Sequence, residues 1–110
     1  MQSDRVGFYG GGIYGATKAG VMRLTMAMGL EFAEYNVRCN CVNPSFIATE
    51  MVTTIPGEFL TKAAPLMERT PMKEPLEPKD VTDAVLFFSS SLSGKVTGTS
   101  LCVDGGLRTA

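Results

Sequence analysis

The chain contains no histidine. Without imidazole there is no Ser-His-Asp or Cys-His nucleophile, and no zinc site built on histidine. Any acid–base chemistry falls to Tyr, Lys, Cys or carboxylates. Cysteine is scarce, with three in 110 residues: Cys39, Cys41 and Cys102. An odd count without a signal peptide points to free thiols in a reducing compartment, here the cytoplasm. All three cysteines read as small buried hydrophobes rather than metal ligands. Charge of one sign is lacking too. The net charge is -1, which offers no attraction to nucleic acid or an anionic membrane. No apolar run reaches the roughly 18 residues of a membrane span. The N-terminal "MQSDRVGFYGGG" has no apolar core and is not a secretory signal.

What is present is 45% apolar and 19% charged residues, the balance of a single globular domain with a core. Residues 1 to 13 are polar and Gly-rich and read as loop. A helical pattern runs from Tyr14 to Glu34, with one apolar stripe at Val21, Leu24, Met28 and Phe32 and another at Ala19, Met22, Met26, Leu30 and Ala33. A helix apolar on two sides is expected to be covered on two sides, by its own sheet and by a neighbouring subunit. Asn36 suits the left-handed residue that closes a helix. "VRCNCVN" (37–43) reads as a strand covered on both faces, with Cys39 and Cys41 pointing the same way and Pro44 stopping it.

Residues 50–79 hold five of the six prolines yet keep Met51, Phe59, Leu60, Leu66 and Met67. That mixture suits a lid or binding loop with a short helix or two. Asp80 as N-cap, with Asp83 three residues on, starts a second helix with a Val81, Ala84, Val85, Phe88 stripe. "SLCVDGG" (100–106) is a second buried strand ending in a turn, after Gly94 and Gly98. The order helix, strand, lid, helix, strand argues for a parallel α/β sheet. Two parallel strands are too few to stand alone and leave long unpaired edges. The chain therefore reads as the end of something larger.

"YGATKAG" (14–20) places Tyr14 and Lys18 four positions apart, on one helix face. It is followed by "VRCNCVNPSFIATEM", "PLEPKDVTDAVLFFSS" and "VTGTSLCVDGG". These four blocks, in this order and at these spacings, resemble the short-chain dehydrogenase/reductase family, in its ketoacyl-carrier-protein-reductase-like branch. The resemblance runs from about Gly10 to Gly106. It implies the C-terminal half of a Rossmann-type doubly wound parallel sheet, incomplete as it stands. It implies an NAD- or NADP-dependent oxidoreductase acting on a carbonyl or secondary alcohol, working as a homodimer or homotetramer. The Met, Leu and Phe of the lid suggest an apolar substrate.

A free tyrosine is a poor base at neutral pH. A cation about 4 Å away in a partly screened site is worth about 4 kcal/mol, enough to bring a phenol towards the range useful for proton transfer. The resemblance implies that Tyr14 exchanges a proton with the substrate oxygen. Lys18 would lower its pKa and hold the nicotinamide ribose hydroxyls. In "NPSFIAT" (43–49), Pro44 and Thr49 match the family pattern, and Ser45 stands where the family usually has Gly. By that resemblance Tyr14, Lys18, Pro44, Ser45, Ile47 and Thr49 are the expected cofactor-binding residues, the last two through the backbone of Ile47 and the hydroxyl of Thr49. Asn40 reads as structural, satisfying backbone groups beside the sheet, and Asp104 as a turn-former.

Several family parts have no counterpart here. No Gly-rich turn follows a strand and opens a helix, for "YGGGIYG" lacks the spacing. The family's catalytic serine lies about a dozen positions before the tyrosine. Counting back thirteen from Tyr14 reaches Met1, and Ser3 is eleven back. The serine and the dinucleotide half are expected upstream of Met1. Enoyl reductases of the same fold use a wider Tyr-to-Lys spacing, so the four-residue spacing disfavours them. The alternative is a catalytically inactive chain that acts as an oligomerisation or interaction module.

Overall fold

The computed structural model of the chain describes residues 11–47 and 57–109. Helix α1 runs over Gly12–Glu31. It starts two residues earlier and stops three earlier than the apolar pattern suggests. The remainder, Ala33–Tyr35, tightens into a 3-10 turn that Asn36 closes at φ 58, ψ 32. That left-handed residue is the one the sequence marks. Strand β1 is Cys41–Pro44 and β2 is Ser100–Val103. They pair in parallel, with Cys41 opposite Ser100 and Pro44 opposite Val103.

The strand reading needs correction at both ends. Pairing begins at Cys41, not Val37, and Pro44 is the last strand residue rather than a stop beyond it. The reason is where Val37 to Asn40 place their hydrogen bonds. Cys39 N donates to Thr97 Oγ1, and Gly98 N donates to Cys39 O at 2.7 Å. Asn40 Nδ2 donates to Val96 O and its Oδ1 accepts from Thr99 N. The segment is clipped to the 96–99 loop rather than laid in the ladder. Cys39 thus precedes the strand. All three cysteines are half-buried free thiols, not fully buried.

The register puts Cys41, Asn43, Ser100 and Cys102 on one sheet face and Val42, Pro44, Leu101 and Val103 on the other. The helix following the proline-rich segment, α3 (Pro78–Ser89), packs on both strands. Val42 shares a cleft with Val85 and Phe88, so α3 covers the aliphatic face. Its N-cap is Glu77, not Asp80. Glu77 and Asp80 form a reciprocal capping box with Pro78 in the first turn. Proline suits that position because its missing N–H has no partner there anyway. Asp80 therefore sits three residues inside the start, where it accepts from Glu77 N at 2.8 Å.

The segment read as a lid contains α2, Gly57–Arg69, with Pro65 inside it. Residues 48–56 of that segment lie outside the described residues. Leu66 on α2 is buried, as are Ala84 on α3 and Leu107 near the end of the chain. Most large apolar side chains on α1 are exposed, among them Ile13, Val21, Leu24, Met26 and Leu30. Among the described residues α1 is covered on one side, through Gly15, Thr25 and Gly29.

Candidate active site

Tyr14 and Lys18 lie in the first two turns of α1. Successive positions four apart fall on one face, and here the side chains meet. The Lys18 ammonium sits 5.3 Å from the centroid of the Tyr14 ring. Both residues flank the buried side of the helix, next to Gly15 and Thr25. Tyr14 is 36 % exposed, so its side chain is open to solvent. The Thr17 hydroxyl donates to Tyr14 O at 2.7 Å, pinning the turn that carries the pair. The Lys18 ammonium makes no hydrogen bond or ion pair within the described residues. Its three donors are thus available to a ligand bearing hydroxyl or anionic oxygens.

The second expected group gathers at the end of β1. Pro44 closes the strand, and Ser45 N donates to Val103 O at 3.0 Å, extending the ladder by one bond. Ser45 replaces the family's usual glycine without strain. Asn36 is the only described non-glycine residue with positive φ, so Ser45 has an ordinary backbone. Its side chain is buried, at 6 % exposure. Ile47 forms an isolated parallel bridge with Leu76, which ties the chain after β1 to the chain before α3. Thr49 lies outside the described residues, as does Ser3. The carboxyl ends of strands are where open α/β sheets receive ligands. Among the described residues, no group of three or more Cys, Asp or Glu side chains is placed to hold a metal ion.

Asp104 is a turn-former. Its carboxylate accepts from Gly106 N and Arg108 N, both at 3.0 Å, and the turn uses positive φ at Gly105 and Gly106. Residues that carry the frame of the site but are not singled out by motif are Arg38 and Ser93. The Arg38 guanidinium donates to Ser93 Oγ at 2.8 Å and to Ser90 O at the end of α3. The fully buried Ser93 hydroxyl donates back to the carbonyls of Phe88 and Ser90. A cation at a helix C-terminus also opposes the helix dipole. The only sequence signal for this clamp is an arginine inside an otherwise uncharged run.

Comparison with known proteins places the chain in a family. The family model described as "Enoyl-(Acyl carrier protein) reductase" matches residues 1–108. The (3R)-3-hydroxyacyl-CoA dehydrogenase of Homo sapiens is 43% identical over 103 residues, covering 94% of this chain and 38% of that protein. Estradiol 17-beta-dehydrogenase 8 of Callithrix jacchus is 40% identical, covering 87% of this chain and 69% of that one. A short-chain type dehydrogenase/reductase from Mycobacterium ulcerans superposes with a TM-score of 0.87 at 29% identity, over 98% of this chain and 39% of its own. The chain thus spans well under half the length of the first of these relatives. Its open two-stranded parallel α/β unit matches part of their Rossmann-type fold. By motif order, fold and the match over nearly its whole length, the chain belongs to the short-chain dehydrogenase/reductase family, on the ketoacyl-reductase-like side.

Proposed function

We propose that this chain carries the proton-transfer part of an oxidoreductase that moves a hydride between NAD or NADP and a carbonyl or secondary alcohol. Residues 1–110 would belong to the C-terminal part of a nucleotide-binding subunit, with 50–79 as its substrate lid. The observation that carries the reading is the Tyr14–Lys18 pair, with the ammonium 5.3 Å from the ring centroid. The cofactor, when bound, supplies or takes up the hydride. Tyr14 gives its phenolic proton to the substrate oxygen in reduction and takes one back in oxidation. Lys18 places a positive charge beside the phenol, which favours negative charge developing on its oxygen. Its uncommitted donors suit the ribose hydroxyls. Pro44, Ser45, Ile47 and Thr49 would hold the nicotinamide end, at the strand terminus where such ligands sit.

The names of the relatives support a substrate that bears an oxygen on an apolar body. They are an hydroxyacyl-CoA dehydrogenase, an estradiol dehydrogenase and a 3-oxoacyl-carrier-protein reductase. The exposed apolar side chains of α1 support a homodimer or homotetramer. The test is nicotinamide oxidation with an oxoacyl thioester, using the subunit as it occurs in its source. Tyr14→Phe is expected to lower kcat by about 100-fold or more, a far larger effect than on cofactor affinity. Lys18→Met should weaken both. An undiminished rate in Tyr14→Phe refutes the assignment. If the subunit binds neither NADH nor NADPH, the interaction-module reading favoured by the exposed apolar helix takes its place.

A further inference from the structure

A cavity of about 140 Å³ lies between the end of β1, the end of α2, the 71–76 segment and the Asp104–Gly105 turn. Its walls include Phe46, Met67, Met72, Pro75 and Leu76. Gly105 shapes the floor. A Cβ there would stand 3.0 Å from Thr70 Cγ2 and 3.3 Å from Met72 Cβ, at a φ of 60. Met72 N donates to Gly105 O at 2.9 Å and fastens the rim. Gly105 thus bounds one side of the cavity with backbone, where a side chain would crowd Thr70 and Met72.

Ser45 lines it. The residue is 6 % exposed, and its hydroxyl has no hydrogen-bond partner among the described residues. A buried hydroxyl left unpaired is costly. Its backbone N–H is already committed to Val103 O, so the hydroxyl is the group left over. Three of the neighbouring polar side chains have partners of their own. Asp104 takes the N–H groups of Gly106 and Arg108, and the Lys73 ammonium donates to Glu68 O at 2.7 Å. The Thr70 hydroxyl donates to Leu66 O. Glu74 also lines the cavity, and a trapped water with two to four polar partners is the competing occupant that the test below separates. An apolar cavity of about 150 Å³ takes a benzene-sized ligand.

We propose that this cavity binds a small neutral molecule, or part of one, of about the size of a six-membered ring and carrying a hydroxyl or carbonyl that pairs with the Ser45 hydroxyl. The site shares Ser45 with the residues proposed to hold the nicotinamide end, but it needs neither Tyr14, Lys18 nor a bound cofactor, and it stands if the dehydrogenase reading fails. Para-fluorophenol and fluorobenzene form a matched pair of probes, differing by the hydroxyl alone. Their binding to the full chain is read by fluorine NMR, with amide dispersion in the same sample confirming the fold. The wild type should bind para-fluorophenol about three- to tenfold more tightly than fluorobenzene, the range of one net hydrogen bond. Ser45→Ala should abolish that preference and keep fluorobenzene binding. Met67→Trp, which narrows the cavity, should weaken both probes. Equal affinities in the wild type, a preference that survives Ser45→Ala, or no saturable binding to the folded chain would each overturn the proposal. The last result would mean that the cavity holds solvent alone.

Discussion

Asn40 joins two parts of the chain through one side chain. Its amide nitrogen serves Val96 O at 2.9 Å and its oxygen serves Thr99 N at 3.0 Å. Both partners lie more than fifty residues further on. Asn40→Ala removes both bonds and should cost about 1–3 kcal/mol, read as a fall in the urea midpoint at unchanged slope. An unaltered midpoint would show that water replaces the amide freely. Asn40→Asp retains the bond from Thr99 and should recover part of the loss. The structural role of Asn40 was legible in the sequence, because a lone amide beside a strand must satisfy backbone groups. The Arg38–Ser93 clamp was not. The two residues are 55 apart, and no local pattern states that the end of α3 comes to rest over Arg38. Tyr14 and Lys18 were legible for the opposite reason. A four-residue offset within one helix fixes proximity without tertiary information.

At the scale of elements, α1 shows how a pattern can be read correctly and its packing missed. The apolar stripes locate the helix, yet the side that packs inside this chain is made of small residues. A Cβ on Gly29 would meet Gly98 Cα and N at 2.6 Å. Gly98 itself holds φ 69 and donates to Cys39 O, so it has little room to yield. Gly29→Ala should therefore destabilise by about 1–3 kcal/mol, although alanine is the better helix former by about 1 kcal/mol. Gly20 on the same helix faces open space, and a Cβ there would have nothing within 4 Å. Gly20→Ala should show the helix gain alone and raise the thermal midpoint. The pair of midpoints checks the argument, which fails if the two variants shift alike. The start of α3 was misplaced for a related reason. Asp80 and Glu77 are both acidic, and the choice of cap falls on whichever residue lies before Pro78, since proline occupies the first turn.

Several large apolar side chains of the molecule are exposed, with Ile13 and Leu30 at 86 % and 80 % exposure on α1 and Leu92 at 82 % beyond α3. An exposed helix of this kind is a docking face in search of a cover. Sedimentation of the isolated chain should show concentration-dependent association, and Leu24→Glu with Leu30→Glu should reduce it. A monodisperse wild-type monomer across the concentration range would refute this. No described helix is long and apolar enough to cross a membrane. Taken by itself, the sequence determined the element order, the parallel α/β class, the Asn36 helix end, the Asp104 turn and the Tyr14–Lys18 pair. The class follows from strands alternating with helices along the chain; the helix end, the turn and the pair rest on residues within a few positions of one another, where spacing alone dictates geometry. Tertiary structure alone decided the strand register, the close approach of Gly29 to Gly98, the Arg38 clamp and the cavity beside Ser45. Those depend on backbones brought together from distant parts of the chain, and no local spacing encodes such distances.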